Sequence, residues 1–169
     1  FANKEWIKKI EVLTGFSGEI LQKKTKELPK MDMGFIDGHH AYEAVIHDFY
    51  AFLQIASENF YLLFDDYNPN ENRDVTKVIN EEVVPNFDVT LIKTNAKQQR
   101  KEANESENEL DMCWLESSSL KKPLHEIYPK SKSDQIISKY VKWEKRWKLR
   151  KTLNSKIPLL GKFRFRSRV

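Results

Sequence analysis

The stretch 31-MDMGFIDGHHAYEAVIHDFYAFLQIASENFYLLFDDY-67 decides how this chain is read. A short apolar segment runs into Asp37, an amphipathic segment follows, and a second apolar segment over 60–64 runs into Asp65 and Asp66. In the middle, Tyr42, Val45, Ile46, Phe49, Phe52 and Leu53 recur at three- and four-residue spacing. Glu43, His47, Asp48 and Gln54 fall opposite them, which predicts a helix with one apolar face. Gly38 supplies the turn that enters it. A strand, a helix of this length and a second strand wind right-handedly and leave the strands parallel and adjacent. Asp37 and Asp65 then emerge side by side at the carboxyl ends of neighbouring strands. That rim is where open α/β sheets bind ligands.

Outward from this unit, toward the start of the chain, residues 3–9 read as the end of a polar helix and 10–13 (IEVL) as a strand. The strand leads into Thr14-Gly15-Phe16-Ser17-Gly18, a turn, and then a helix over 19–28 with Ile20 and Leu21 facing inward, stopped by Pro29. Beyond Tyr67 comes a polar loop over 68–72 and a helix over 75–84 that buries Val75, Val78, Ile79 and Val83 and ends at Pro85. Segments 87–92 and 110–115 read as strands of an antiparallel hairpin at one edge of the parallel sheet, joined by a solvated polar loop over 94–109. Residues 117–129 read as a linker in which His125 has no role. The expected fold is α/β, a Rossmann-like partial sheet, mostly parallel with an antiparallel C-terminal hairpin. Residues 1–116 form its α/β domain, and 117–169 a linker with a basic C-terminal helix or tail.

The net charge of +4 hides an asymmetry. Residues 139–169 hold twelve Lys and Arg against one acid, Glu144, a net of +11 that leaves −7 on residues 1–138. Tyr140, Val141, Trp143, Trp147 and Leu149 are interleaved with these cations. A basic helix of this kind either docks on the acidic body or lies on an anionic membrane surface, and both rank ahead of nucleic acid because no nucleic-acid-binding motif accompanies the charge. The single cysteine, Cys113, excludes an internal disulfide and suits a reducing compartment. No apolar run approaches the ~18 residues of a membrane span. The expected location is cytoplasmic, peripheral to a membrane if the tail makes that contact.

Phe35-Ile36-Asp37-Gly38-His39-His40-Ala41-Tyr42-Glu43, followed at the right distance by Phe64-Asp65-Asp66-Tyr67 and preceded by the Thr14-Gly15-Phe16-Ser17-Gly18 turn, carries a resemblance. Over residues 10–115 the chain resembles the C-terminal portion of a class I S-adenosylmethionine-dependent methyltransferase, of the metal-dependent O-methyltransferase kind related to catechol and caffeoyl-CoA O-methyltransferases. The resemblance implies that Asp37, Asp65 and Asp66 hold a divalent cation, Mg²⁺ by the hardness of the oxygen donors. It places His40 where those enzymes have a general-base lysine, a task suited to an imidazole with an ordinary pKa of about 6.5. Asp37 counts with His40 among the catalytic residues. Gly15, Phe16, Ser17 and Gly18 match the turn at the adenine end of the S-adenosylmethionine site, and Asp37 contacts the cofactor as well.

The Gly-rich loop after a first strand and the acid ending a second, which hold the rest of that cofactor in such enzymes, have no counterpart here. The expectation is therefore a fragment of a longer enzyme, or a degenerate relative. Its function would be O-methylation of a small hydroxylated acceptor. One alternative is a non-catalytic methyltransferase-fold module recruited by its basic tail to a membrane surface or nucleic acid. Another is a metal-dependent hydrolase on the same carboxylate rim. In the plainest reading Asp65 and Asp66 are a solvated strand end, His39, His40 and His47 ordinary surface histidines, and Cys113 a small buried apolar side chain.

Overall fold

The computed structural model describes residues 8–70, 73–98 and 108–156. The predicted helix over 3–9, the middle of the 94–109 loop and the end of the basic tail lie largely outside them. The described elements run α1 (Ser17–Lys24), β1 (Met31–Ile36), α2 (Tyr42–Ile55), β2 (Ala56–Tyr67) and α3 (Asp74–Val78), which continues as a π turn (Ile79–Val83). Then follow β3 (Thr90–Gln98), β4 (Asn108–Glu116), a 3₁₀ turn (Ser117–Ser119), α4 (Leu124–Ile127) and the long helix α5 (Lys130–Lys156).

The four strands form one sheet in the order β1-β2-β4-β3. The pairing of β1 with β2 is parallel, Gly34 opposite Leu62 and Ile36 opposite Phe64, as a right-handed crossover through α2 requires. The β3–β4 hairpin is antiparallel and joins the sheet through β4, which pairs antiparallel with β2. This is the mixed α/β, Rossmann-like arrangement the strand–helix–strand pattern predicts, with the hairpin at one edge, but where a mostly parallel sheet is expected only one of the three described pairings is parallel, because the hairpin joins through β4.

One sheet face is packed. Phe60, Leu62 and Phe64 of β2 and Cys113 and Leu115 of β4 point at α2, where Val45, Phe49, Phe52 and Leu53 meet them. The aromatic rings interlock, with Phe49 5.7 Å from Phe64 and Phe52 5.6 Å from Phe60, edge or tilted as ring quadrupoles prefer. Val75, Val78, Ile79, Val83 and Phe87 extend the same core. Gly34 makes the close approach of α2 to β1 feasible: a Cβ there would stand 2.7 Å from the Phe52 ring and 2.8 Å from Leu62. Burial pushes the Cys113 thiol up to about 12, so it behaves as the small apolar side chain its setting suggests.

Four further expectations need correction. Residues 10–13 form no strand; Ile10 and Val12 are exposed and no described strand lies beside them, and an apolar run without a pairing partner does not become a strand. The 117–129 segment is not a linker. Pro123 caps α4 and Ile127 is buried in the core, while Leu120 bridges Phe87. The hairpin strands are displaced and longer, β3 starting at Thr90 and reaching Gln98, since antiparallel pairing continues into residues whose polarity alone suggests loop. His47, assigned by periodicity to the polar face of α2, is buried because α5 covers that face, its imidazole 4.2 Å from the Tyr140 ring.

α5 therefore belongs to the body. Its docking depends on Gly18, whose absent side chain is replaced by the Tyr140 ring: a Cβ on Gly18 would lie 2.0 Å from Tyr140 Cε1. Trp147 packs edge-on to Phe16 at 5.2 Å, and Lys148 pairs with Glu19 at 2.7 Å. The buried Glu144 carboxylate has Lys148 Nζ 2.6 Å from its Oε1, an ion pair whose approach angle is not that of a hydrogen bond. Near the helix start, Tyr128 stacks on Tyr50 at 4.6 Å, and the Tyr50 hydroxyl donates to Glu82 at 2.6 Å. Burial first, then that carboxylate, holds the Tyr50 phenol far above its usual range.

Candidate active site at the carboxyl rim of the sheet

Asp37 follows β1 and Asp65 and Asp66 lie near the end of β2, so the parallel register brings them to one rim. The pairing of β2 with β4 slips between Phe64 and Tyr67, where β2 carries one residue more than its partner. Bulges of this kind re-aim side chains at sheet rims. Asp66 sits in it with φ of 59°, the left-handed region that aspartate tolerates better than most residues. The bulge parts the two neighbouring carboxylates. Asp65 Oδ1 turns back to accept the Asp66 backbone N–H at 2.9 Å, while Asp66 Oδ2 reaches His40 Nε2 at 2.9 Å. His40 Nε2 is also 3.9 Å from Asp37 Oδ1.

Asp37, His40 and Asp66 thus place one donor atom each within 4.8 Å of one another. Of the three aspartates the resemblance assigns to a cation, the structure gathers Asp37 and Asp66 and leaves Asp65 fastening the turn. His40 stands in the third place. Two partly exposed carboxylates fit a hard divalent ion, which keeps several waters and takes one or two protein carboxylates. The imidazole gives the set room for a nitrogen ligand as well.

Beside this cluster are two cavities that share Ser17, Gly38 and Asp48. The larger, about 480 Å³, runs along β1 past Gly34, Ile36 and Asp37 toward Phe52. The smaller, about 240 Å³, lies between Gly15, Phe16 and Ser17 on one side and Tyr140 and Trp143 of α5 on the other, with His39 at its edge. Pockets for ligands of drug size measure about 300–1,000 Å³, so the smaller cavity alone suits one ring system and the two together suit an elongated nucleoside-like molecule. Gly15, Phe16, Ser17 and Asp37 line these cavities. Gly18 lines neither, being covered by the Tyr140 ring.

Asp48 is the residue that sequence reasoning passed over. It accepts a 2.6 Å hydrogen bond from Ser17 Oγ, lies 3.3 Å from His47 Nδ1, and borders both cavities. As a polar residue on a helix it looks like a solvated side chain, and only the neighbouring turn gives it another role. His39 accepts the Ala41 backbone N–H on Nδ1 at 3.1 Å and packs edge-on to Trp143 at 4.8 Å. Burial, then the neighbouring His40, lowers its pKa.

The segment that carries this geometry is similar in sequence to a known family. Residues 2–67 match the family model of a methyltransferase domain. The matched segment contains the 14–18 turn, β1, α2, β2 and all three residues of the rim cluster, and it stops before the hairpin and α5. A search of curated proteins finds no match to the chain.

Proposed function

We propose that this chain carries the metal-binding and acceptor side of an S-adenosylmethionine-dependent O-methyltransferase acting on a small hydroxylated molecule. The observation that carries the proposal is the convergence of Asp37, His40 and Asp66 beside the cavity bounded by the 14–18 turn, within a segment similar to a methyltransferase domain. Asp37 and Asp66 are the residues that would hold a divalent cation, Mg²⁺ by donor hardness. Such an ion, when bound, lowers the pKa of a hydroxyl beside it. The His40 imidazole, with Nε2 2.9 Å from Asp66 Oδ2, is the group placed to take the hydroxyl proton, held at the rim by that carboxylate. Asp65 keeps the Asp66 backbone in its left-handed turn. Ser17 and Asp48, bonded to each other, border the donor cavity, and S-adenosylmethionine would supply a sulfonium-bound methyl group to the rim. Holding the two reactants there in line supplies much of the acceleration.

The test is methyl transfer to a panel of catechols and hydroxylated acids by the full-length protein, with and without Mg²⁺. Asp66→Ala should abolish Mg²⁺-dependent transfer, and His40→Gln should lower kcat. Transfer that is indifferent to both substitutions and to chelator would overturn the proposal.

A second reading is favoured by the outward face of α5, where Lys139, Lys142, Lys145, Arg146, Arg150 and Lys151 are exposed together with Leu149. That face suits a peripheral contact with an anionic membrane. No helix among the described residues is long and apolar enough to cross one. Salt-sensitive sedimentation with phosphatidylserine vesicles, lost when these six cations are changed to Gln, is the expected result for this reading. Vesicle binding that is equal before and after the change would end it.

A further inference from the structure

The role of α5 at the smaller cavity is where the structure goes further than the family match, which ends at Tyr67. The helix is anchored on both sides of that cavity: by Tyr140 against Gly18 and His47, and by Trp147 and Lys148 against Phe16 and Glu19. Lys148 Nζ also lies 4.6 Å from the centre of the Phe16 ring. Between these anchors Tyr140 and Trp143 complete a wall opposite Gly15, Phe16 and Ser17. The Trp143 indole is held in place by His39 edge-on at 4.8 Å and by Tyr140 at 5.5 Å. Four of the nine lining residues, Phe16, His39, Tyr140 and Trp143, have aromatic rings, and Asp48 supplies a carboxylate that only accepts hydrogen bonds.

We propose that α5 forms a wall of the nucleobase end of the methyl-donor site, with Trp143 packing on the base and Asp48 accepting from its exocyclic amino group. The inference rests on the methyl-transfer reading above. A volume of about 240 Å³ suits a single flat ring system. A fixed carboxylate selects a ring that presents N–H donors, so an aminopurine is preferred to its 6-oxo analogue, which offers an oxygen to the same carboxylate. The basic helix is then a component of the site, and its cations are what remains on the side turned to solvent.

The experiment is calorimetric binding of S-adenosylhomocysteine and S-inosylhomocysteine to the full-length protein and its variants. Base-on-aromatic packing carries ~1–3 kcal/mol, so Trp143→Ala should weaken S-adenosylhomocysteine about 5- to 150-fold. Trp143→Phe should recover only part of that loss. On the unaltered protein, S-inosylhomocysteine should bind at least ~10-fold more weakly, and Asp48→Asn should narrow the gap. The inosyl comparison needs no variant and stands even if Trp143→Ala impairs folding. Equal affinity of the unaltered protein and a folded Trp143→Ala or Trp143→Phe variant would overturn the role of α5, no preference between the two ligands would overturn that of Asp48, and either result would leave the methyl-transfer reading standing. Absence of any S-adenosylhomocysteine binding, joined to absence of methyl transfer, would remove that reading and this inference with it.

Discussion

Phe64 and Phe35 stand on neighbouring paired strands, yet Phe64 is fully buried and Phe35 is 54% exposed. They mark the two faces of one sheet. On the first, α2, the π turn, α4 and α5 build a continuous core; on the second, Met33, Phe35, Tyr61 and Ile92 lie open, with Tyr61 stacked on Trp114 at 5.2 Å. Composition does not distinguish the faces, since both are rich in aromatic and branched residues. What separates them is that every described helix contributing to the core lies on one side. The lesson is that strand alternation tells which residues share a face, and the placement of helices tells which face is inside.

Truncating one ring on each face separates the two most strongly. Phe64→Ala should cost about 3–5 kcal/mol of unfolding free energy, whereas Phe35→Ala should stay within ~1 kcal/mol. Urea unfolding of the two variants measures this, and equal losses would mean that the open face is covered in solution. Adding volume is the next test. Gly34→Ala drives a Cβ into Phe52 and Leu62 and should cost about 1–3 kcal/mol, unless α2 shifts off the strand.

A smaller effect is expected at the rim, which belongs to neither face. Asp66→Gly relieves a left-handed backbone conformation at the cost of a freer unfolded chain, should leave stability within ~1 kcal/mol, and under the proposed function should remove Mg²⁺-dependent transfer. A rim substitution that inactivates while leaving stability in place would separate the site from the packing around it.

A further difference between the faces lies in pH dependence. Burial on the covered face raises the Cys113 thiol from an ordinary value near 9.0 to about 12. The folded thiol stays protonated where the unfolded one ionises, so its contribution is complete below pH 9 and declines as pH rises from there toward 12. Unfolding midpoints followed from pH 7 to pH 11 should fall for the unaltered protein, and the Cys113→Ala variant should show a shallower fall. Native protein at pH 8 should resist thiol-directed alkylation, and ready labelling would show that this part of the covered face opens.

Much of the central unit was legible because its signals are local. Tyr42, Val45, Ile46, Phe49 and Phe52 mark a helix by spacing alone, and the lengths on either side force a parallel pair with Asp37 at its rim. Residues 10–13 misled because three apolar residues in a tetrapeptide carry no information about a partner strand. The 117–129 stretch misled in the opposite sense, since two prolines suggest a break while Leu120, Leu124 and Ile127 were in fact anchors. At the rim, neighbouring aspartates look equivalent in sequence. A bulge one residue long gives Asp65 to the backbone and Asp66 to His40.

The order of nearby segments, their periodicity and the side of the sheet that receives the carboxylates were determined by the sequence itself, because each depends on residues within one turn or one crossover. Which face is buried, which aspartate joins His40, and the conversion of a basic tail into a wall against Gly18 and His39 were decided only in three dimensions. The last of these joins surfaces more than a hundred residues apart in the chain, and in all three shape and burial select the partner where local pattern does not.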